Sequence, residues 1–122
     1  MTFTSPQYLE LAESLLGEHE AARRTAVSRA YYAVFHAARR RRNQDLGFET
    51  TRTIGHKDLW DYYKQSVTTR RLTLRGERLL KRRQQADYDI SPAWDLKSAG
   101  ETVHDARQLL RELDALTTPT DR

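Results

Sequence analysis

A chain of 122 residues with 21 lysines and arginines, 17 acidic residues and no cysteine has length for one core and one domain, residues 1–122, and excludes disulfides and thiolate metal sites. No apolar run approaches the roughly 18 residues of a membrane span, and no basic segment followed by an apolar one opens the chain, so a cytoplasmic protein is expected. The net charge of +4 is uneven: residues 1–83 hold 17 basic against 9 acidic residues, and residues 84–122 hold 4 against 8, which gives a basic surface suited to nucleic acid and an acidic segment able to pack against it or turn away.

Ser5-Pro6 reads as a helix start, with Ser5 as N-cap and Pro6 in the first helical position. Tyr8, Leu11, Ala12, Leu15 and Leu16 follow at helical spacing, and Gly17 ends the helix. From Glu18 to Gln44 there is neither glycine nor proline and alanine is abundant, which predicts one long second helix ending near Gly47. On it, the seven steps from Arg29 to His36 return to within about 20° of the same direction, roughly 10 Å along the axis. Ala22, Ala26, Ala33 and Ala37 share that side, with Arg40 one turn further on, while Val27, Tyr31, Val34, Phe35 and Ala38 fall opposite. The bulky stripe reads as core. The alanine stripe permits close approach of another helix, with a guanidinium and an imidazole protruding from it, which predicts a cleft at or beside the two-fold axis of a homodimer.

Arg39 to Arg42 end the second helix with positive charge, which compensates the helix dipole in a structural reading and contacts phosphate in a functional one. Residues 45–55 lack a helical period and read as a mobile loop. A third helix is predicted over His56–Val67 with Leu59, Trp60, Tyr63 and Val67 inward. A weaker fourth runs over Leu72–Gln85, interrupted by Gly76 and loaded with a second basic patch from Arg70 to Arg83. Ala86 to Ile90 form a connection, and Ser91-Pro92 opens a last helix in which Leu96, Ala99, Val103, Ala106, Leu110 and Leu113 alternate steps of three and four. With no strand pattern, the expected class is all-α, an up-and-down bundle of four to five helices.

His19, His36, His56 and His104 are too scattered for a zinc helix, and neither a glycine-rich phosphate loop nor a nucleophile elbow occurs. No metal and no cofactor is expected. Arg29 with His36 suits phosphodiester chemistry, since an imidazole moves a proton near neutral pH and a guanidinium holds charge developing on phosphorus. RNA suits such a site better than DNA, because its own 2′-hydroxyl can attack the adjacent phosphate. Arg29 and His36 are the candidate catalytic residues, and Tyr32, Arg40 and Arg83 the candidate substrate contacts. The bland alternative is a helix face on which His36 is an interface or hydrogen-bonded residue.

Ser28-Arg29-Ala30-Tyr31-Tyr32-Ala33-Val34-Phe35-His36-Ala37-Ala38, followed by Arg83-x-x-Ala86-Asp87-Tyr88-Asp89, resembles the HEPN family (higher eukaryotes and prokaryotes nucleotide-binding domains). The likeness covers the opening helix, the long helix, the helix beginning near Gly55-His56, the Ala-Asp-Tyr turn and the closing helix. It implies a small dimerising helical bundle with an Arg-x4-6-His motif at the dimer cleft, matched by Arg29 and His36 with six intervening residues. In many members it implies a metal-independent ribonuclease used in toxin–antitoxin and defence systems. Many catalytic members carry Asn, Asp or His after the arginine, where this chain has Ala30. Some toxin members carry a tyrosine two places after the histidine, modified by a partner nucleotidyltransferase, where this chain has Ala38. Two functions follow: a ribonuclease toxin or defence effector with a nucleotidyltransferase-type antitoxin, or a non-catalytic nucleotide- or RNA-binding adaptor that works with such a partner.

Overall fold

The computed structural model describes residues 4–17, 19–89 and 93–116. Its elements are α1 (Ser5–Ser14), α2 (Glu20–Asp45), α3 (His56–Lys64), α4 (Arg70–Tyr88) and α5 (Leu96–Asp114). The all-α expectation holds, with five helices and no strand among the described residues, and no helix there is long and apolar enough to cross a membrane.

The first helix is capped one residue earlier than its Ser-Pro pair suggests. Thr4 Oγ1 accepts from the Gln7 amide at 3.4 Å while Gln7 Oε1 accepts from the Thr4 amide at 2.7 Å. This reciprocal box leaves Ser5 and Pro6 inside the first turn, where the missing proline N–H costs no helical bond. The helix also stops before Gly17, with Leu15 as its C-cap. The second helix ends as expected. Gly47 adopts φ +74°, its amide donates to Gln44 O and that of Phe48 to Asn43 O, a Schellman closure that a left-handed residue makes possible.

The following loop is tied to α2 by side-chain contacts. Asn43 is fully buried, and its amide nitrogen donates to Thr50 O and Arg52 O, each at 3.0 Å. The Phe48 ring is covered by the guanidinium groups of Arg42 and Arg52, at 5.1 and 3.9 Å. One buried amide side chain therefore satisfies backbone carbonyls that the irregular segment cannot pair with itself.

The third helix ends at Lys64 rather than at Val67, which is 83% exposed. Gly76 does not interrupt the fourth: it is buried inside a continuous helix that also takes in Ala86, Asp87 and Tyr88. A β-carbon at position 76 would stand 2.6 Å from the indole ring atoms of Trp60, so the glycine is where α3 lies down on α4. Ser91-Pro92, read as the start of the last helix, falls outside the described residues. The described helix α5 is opened by Asp95, whose carboxylate accepts from the Ser98 amide at 2.7 Å. Leu96 is 54% exposed, while Ala99, Val103, Ala106, Leu110 and Leu113 are buried as their period requires, joined by Thr102 and Leu109.

Helix α2 is the centre, with α1, α4 and α5 packed on it and α3 held mainly by α4. Val34, Tyr31, Phe35 and Ala38 of its bulky stripe join Leu59, Trp60, Leu72, Leu109 and Leu113 in the main core, while Val27 belongs to a smaller cluster with Ala86, Trp94 and Ala99. The acidic segment packs against the basic one. Glu112 of α5 pairs with Arg71 and Arg75, and Arg82 donates to Thr102 Oγ1 at 2.7 Å. Arg23 and Arg24 bridge the segments at the other end: Arg23 donates to Trp94 O and Gly17 O, and Arg24 to the carbonyls of Ala86 and Asp89, which closes the C-terminus of α4. Much of the apparent basic excess is therefore structural.

Candidate functional site

Packing on three sides closes α2 almost completely. Between Thr25 and Arg40, only Thr25, Arg29 and Arg40 are exposed, and only Tyr32, His36, Ala37 and Arg39 are half-buried. At about 100° per residue, Thr25, Arg29, Tyr32, His36 and Arg40 lie within an arc roughly 80° wide. They form one open seam along an otherwise covered helix.

The alanine stripe has a different use from the one expected. Ala26 and Ala33 are 0% exposed and sit in the main core with Leu9 and Ala12 of α1 and Val103, Ala106 and Leu110 of α5. Small side chains do admit close helices, but the helices are the chain's own, so Ala26 and Ala33 are not available to a second copy. Ala30 and Ala38 are likewise fully buried. Neither position faces the seam, and a polar side chain at either would enter the core.

His36 stands between α1 and α2, its ring 5.1 Å from that of Tyr8, 5.9 Å from Tyr32 and 5.7 Å from Phe35. It borders a cleft of about 690 Å³ that Arg39 and Arg40 also line. Burial lowers the imidazole pKa from its ordinary value, and the Arg39 guanidinium lowers it further, so His36 is neutral near pH 7 and able to accept a proton. Arg40 is exposed at the mouth of this cleft. Arg29 is exposed two turns before His36, and its side chain makes no hydrogen bond or ion pair among the described residues.

Arg83 reaches the seam from α4. Its Nη2 donates to Tyr32 Oη at 2.8 Å, its Nε lies 2.9 Å from Asp87 Oδ2, and its guanidinium covers the Tyr32 ring at 5.1 Å. Ser28 Oγ donates to the same Asp87 oxygen at 3.2 Å. With its side chain only 13% exposed, Arg83 is first a clamp on Tyr32 and Asp87. Tyr32 and Arg83 are thus brought together, as are His36 and Arg40, on neighbouring stretches of one seam.

His56 is the residue that sequence reasoning passed over. At the first position of α3 its Nδ1 lies 2.7 Å from Tyr31 Oη, and that oxygen accepts from Trp60 Nε1 at 3.3 Å. Its ring packs 4.5 Å from Phe35 and 6.3 Å from Tyr32, so Phe35 and Tyr32 each border both His36 and His56. Burial, and then Arg83, lower the pKa of His56, while burial raises that of Tyr31. The only sequence hint was Tyr31 itself, since a tyrosine on a core stripe needs a partner for its hydroxyl.

Both histidines bind a proton less readily in the folded state than in the unfolded one, so as pH falls below about 6.5 the unfolded chain takes up protons first and stability declines. Thermal melts are expected to drop between pH 7 and pH 5, and the drop should be smaller in a His36→Gln/His56→Gln double variant. An equal drop in wild type and double variant would contradict the lowered pKa values.

No group of three or more His, Asp or Glu among the described residues is arranged to hold a metal ion. No family model matches the chain, and no curated protein and no solved structure matches it either.

Proposed function

We propose that this chain is a HEPN-type endoribonuclease that cleaves RNA without a metal, acting as a toxin or defence effector. The observation that carries the reading is the open seam: a helix buried on its other sides keeps Arg29, Tyr32, His36 and Arg40 accessible along one line, the arrangement that a single RNA strand can follow. Neutral His36 takes the proton of the 2′-hydroxyl, Arg29 balances charge developing on the phosphate oxygens, and Arg40 holds a neighbouring phosphate. The 2′-oxygen bonds to phosphorus, the bond to the 5′-oxygen breaks, and a second proton-transfer group protonates the leaving oxygen. A homodimer with two seams facing one cleft supplies that group as the protonated imidazole of a second copy, which gives up its proton as the first His36 gains one. A nucleotidyltransferase-type antitoxin is the partner that the family resemblance supports.

A non-catalytic RNA- or nucleotide-binding adaptor is the second reading, favoured by the half-burial of His36 among Tyr8, Tyr32 and Phe35. Purified chain incubated with total RNA and tRNA in excess EDTA separates the two. Discrete cleavage, together with growth arrest on expression of the chain alone, supports the ribonuclease; retention of intact RNA supports the adaptor.

Binding has its own signature. Affinity for single-stranded RNA should fall steeply with salt, and Arg40→Ala should reduce the slope of log K against log salt by roughly 0.7. Arg83→Ala should instead weaken binding chiefly by releasing Tyr32. Salt-independent binding, or an unchanged slope in Arg40→Ala, would remove the seam from the RNA path.

A further inference from the structure

We infer that His56, held in one tautomer by Tyr31 and Trp60, is a neutral hydrogen-bond donor to the phosphate that lies on the α2 seam. This rests on the ribonuclease reading of that seam and adds to it a residue outside the Arg29/His36 pair.

The tautomer follows from counting donors and acceptors in a closed space. Trp60 and Tyr31 are both fully buried. The indole Nε1–H can only donate, and it donates to Tyr31 Oη. The hydroxyl's own hydrogen then needs an acceptor, and the one within reach is His56 Nδ1 at 2.7 Å. Were Nδ1 protonated, three hydrogens would converge on one oxygen, and the buried hydroxyl would be left with a hydrogen and no acceptor, a costly arrangement. Nδ1 therefore carries the lone pair and Nε2 the hydrogen.

Nε2 lies on the edge of the ring away from Nδ1, and so away from the buried hydroxyl. The ring it belongs to packs on Phe35 and borders Tyr32, the two side chains that also border His36. The guanidinium of Arg83, on α4, lies near the imidazole and disfavours a second positive charge there. On α2, Tyr31 and Tyr32 face the ring as neutral groups. On α3 itself, Lys57 is engaged with Asp61 at 2.6 Å. A neutral imidazole whose N–H points to a developing oxyanion stabilises it without transferring a proton. His36 and His56 then divide the work: His36 changes protonation state during the reaction and His56 does not. As the 2′-oxygen bonds to phosphorus and the 5′-oxygen leaves, His56 Nε2–H bonds to a non-bridging oxygen, whose charge grows in the transition state.

Two measurements test this together. In nitrogen-15 histidine-labelled chain near neutral pH, long-range proton–nitrogen correlation should show His56 with Nε2 protonated and Nδ1 bare. Saturation with a 2′-O-methyl oligoribonucleotide, which cannot be cleaved, should shift the His56 Nε2–H signal. In single-turnover cleavage, His56→Ala should lose about 100-fold in rate, and His56→Gln, which keeps an N–H, should lose less. The pH midpoints of both variants should stay at the wild-type values. A protonated Nδ1, an unshifted signal in the RNA-saturated sample, or a wild-type rate in His56→Ala overturns the inference. So does loss of one limb of the pH profile in His56→Gln, which would make His56 a proton-transfer group. Wild type that cleaves no RNA overturns the ribonuclease reading, and the RNA-induced shift then decides whether His56 contacts phosphate at all. Melting of each variant near the wild-type temperature shows that the fold is kept.

Discussion

Gly76→Ala is expected to destabilise the chain by about 1–3 kcal/mol, although alanine is the better helix former by up to about 1 kcal/mol. The reason is contact: the added β-carbon would meet three indole atoms of Trp60 at 2.6 Å. Trp60 has nowhere to retreat, being fully buried with Nε1 bonded to Tyr31 Oη and its carbonyl accepting from Thr73 Oγ1. Gly100 of α5 has nothing within 4 Å of the same ideal position, so Gly100→Ala should stabilise by roughly 0.4–1 kcal/mol. Urea unfolding of the two variants should therefore move the midpoint in opposite directions. A stabilised Gly76→Ala would mean that α3 does not rest on α4 through Trp60.

His36→Ala and Arg29→Ala should each reduce RNA cleavage by about 100- to 10,000-fold, for different reasons and with different side effects. Arg29 is exposed and without an ion-pair partner among the described residues, so its removal should leave stability within about 0.5 kcal/mol of wild type. His36 fills space between Tyr8 and Tyr32, so His36→Gln, which keeps more of the volume, is the cleaner test of its chemistry. The pH profile fixes the sign of the His36 shift. Because burial and Arg39 lower its pKa, the acid limb of the rate should have its midpoint below the ordinary imidazole value of about 6.5. Arg39→Gln removes a positive charge and should move that midpoint up. A midpoint above the ordinary value, or one that falls in Arg39→Gln, would contradict this assignment.

The helices were legible because their periods were strong. Alanine abundance without glycine or proline predicted α2, and steps of three and four predicted α5. The ends were less so: Thr4 capped in place of Ser5 because a glutamine three residues on returns the bond, and Gly76 read as an interruption because its partner, Trp60, lies on another helix. At the site, a helical wheel brought Arg29, His36 and Arg40 to one side correctly. It misassigned Ala26 and Ala33, since periodicity shows which residues share a face but not which neighbour covers it. His56 was illegible for the same reason, being 25 residues from Tyr31 in sequence and brought to it only by the packing of α3.

The most direct measurement is the chemistry of the RNA ends left by purified chain in excess EDTA, with wild type and His36→Gln side by side. Wild type is expected to leave fragments that end in 2′,3′-cyclic phosphate, and His36→Gln almost none at unchanged melting temperature. Intact RNA with wild type, or equal cleavage by both, would contradict the ribonuclease reading.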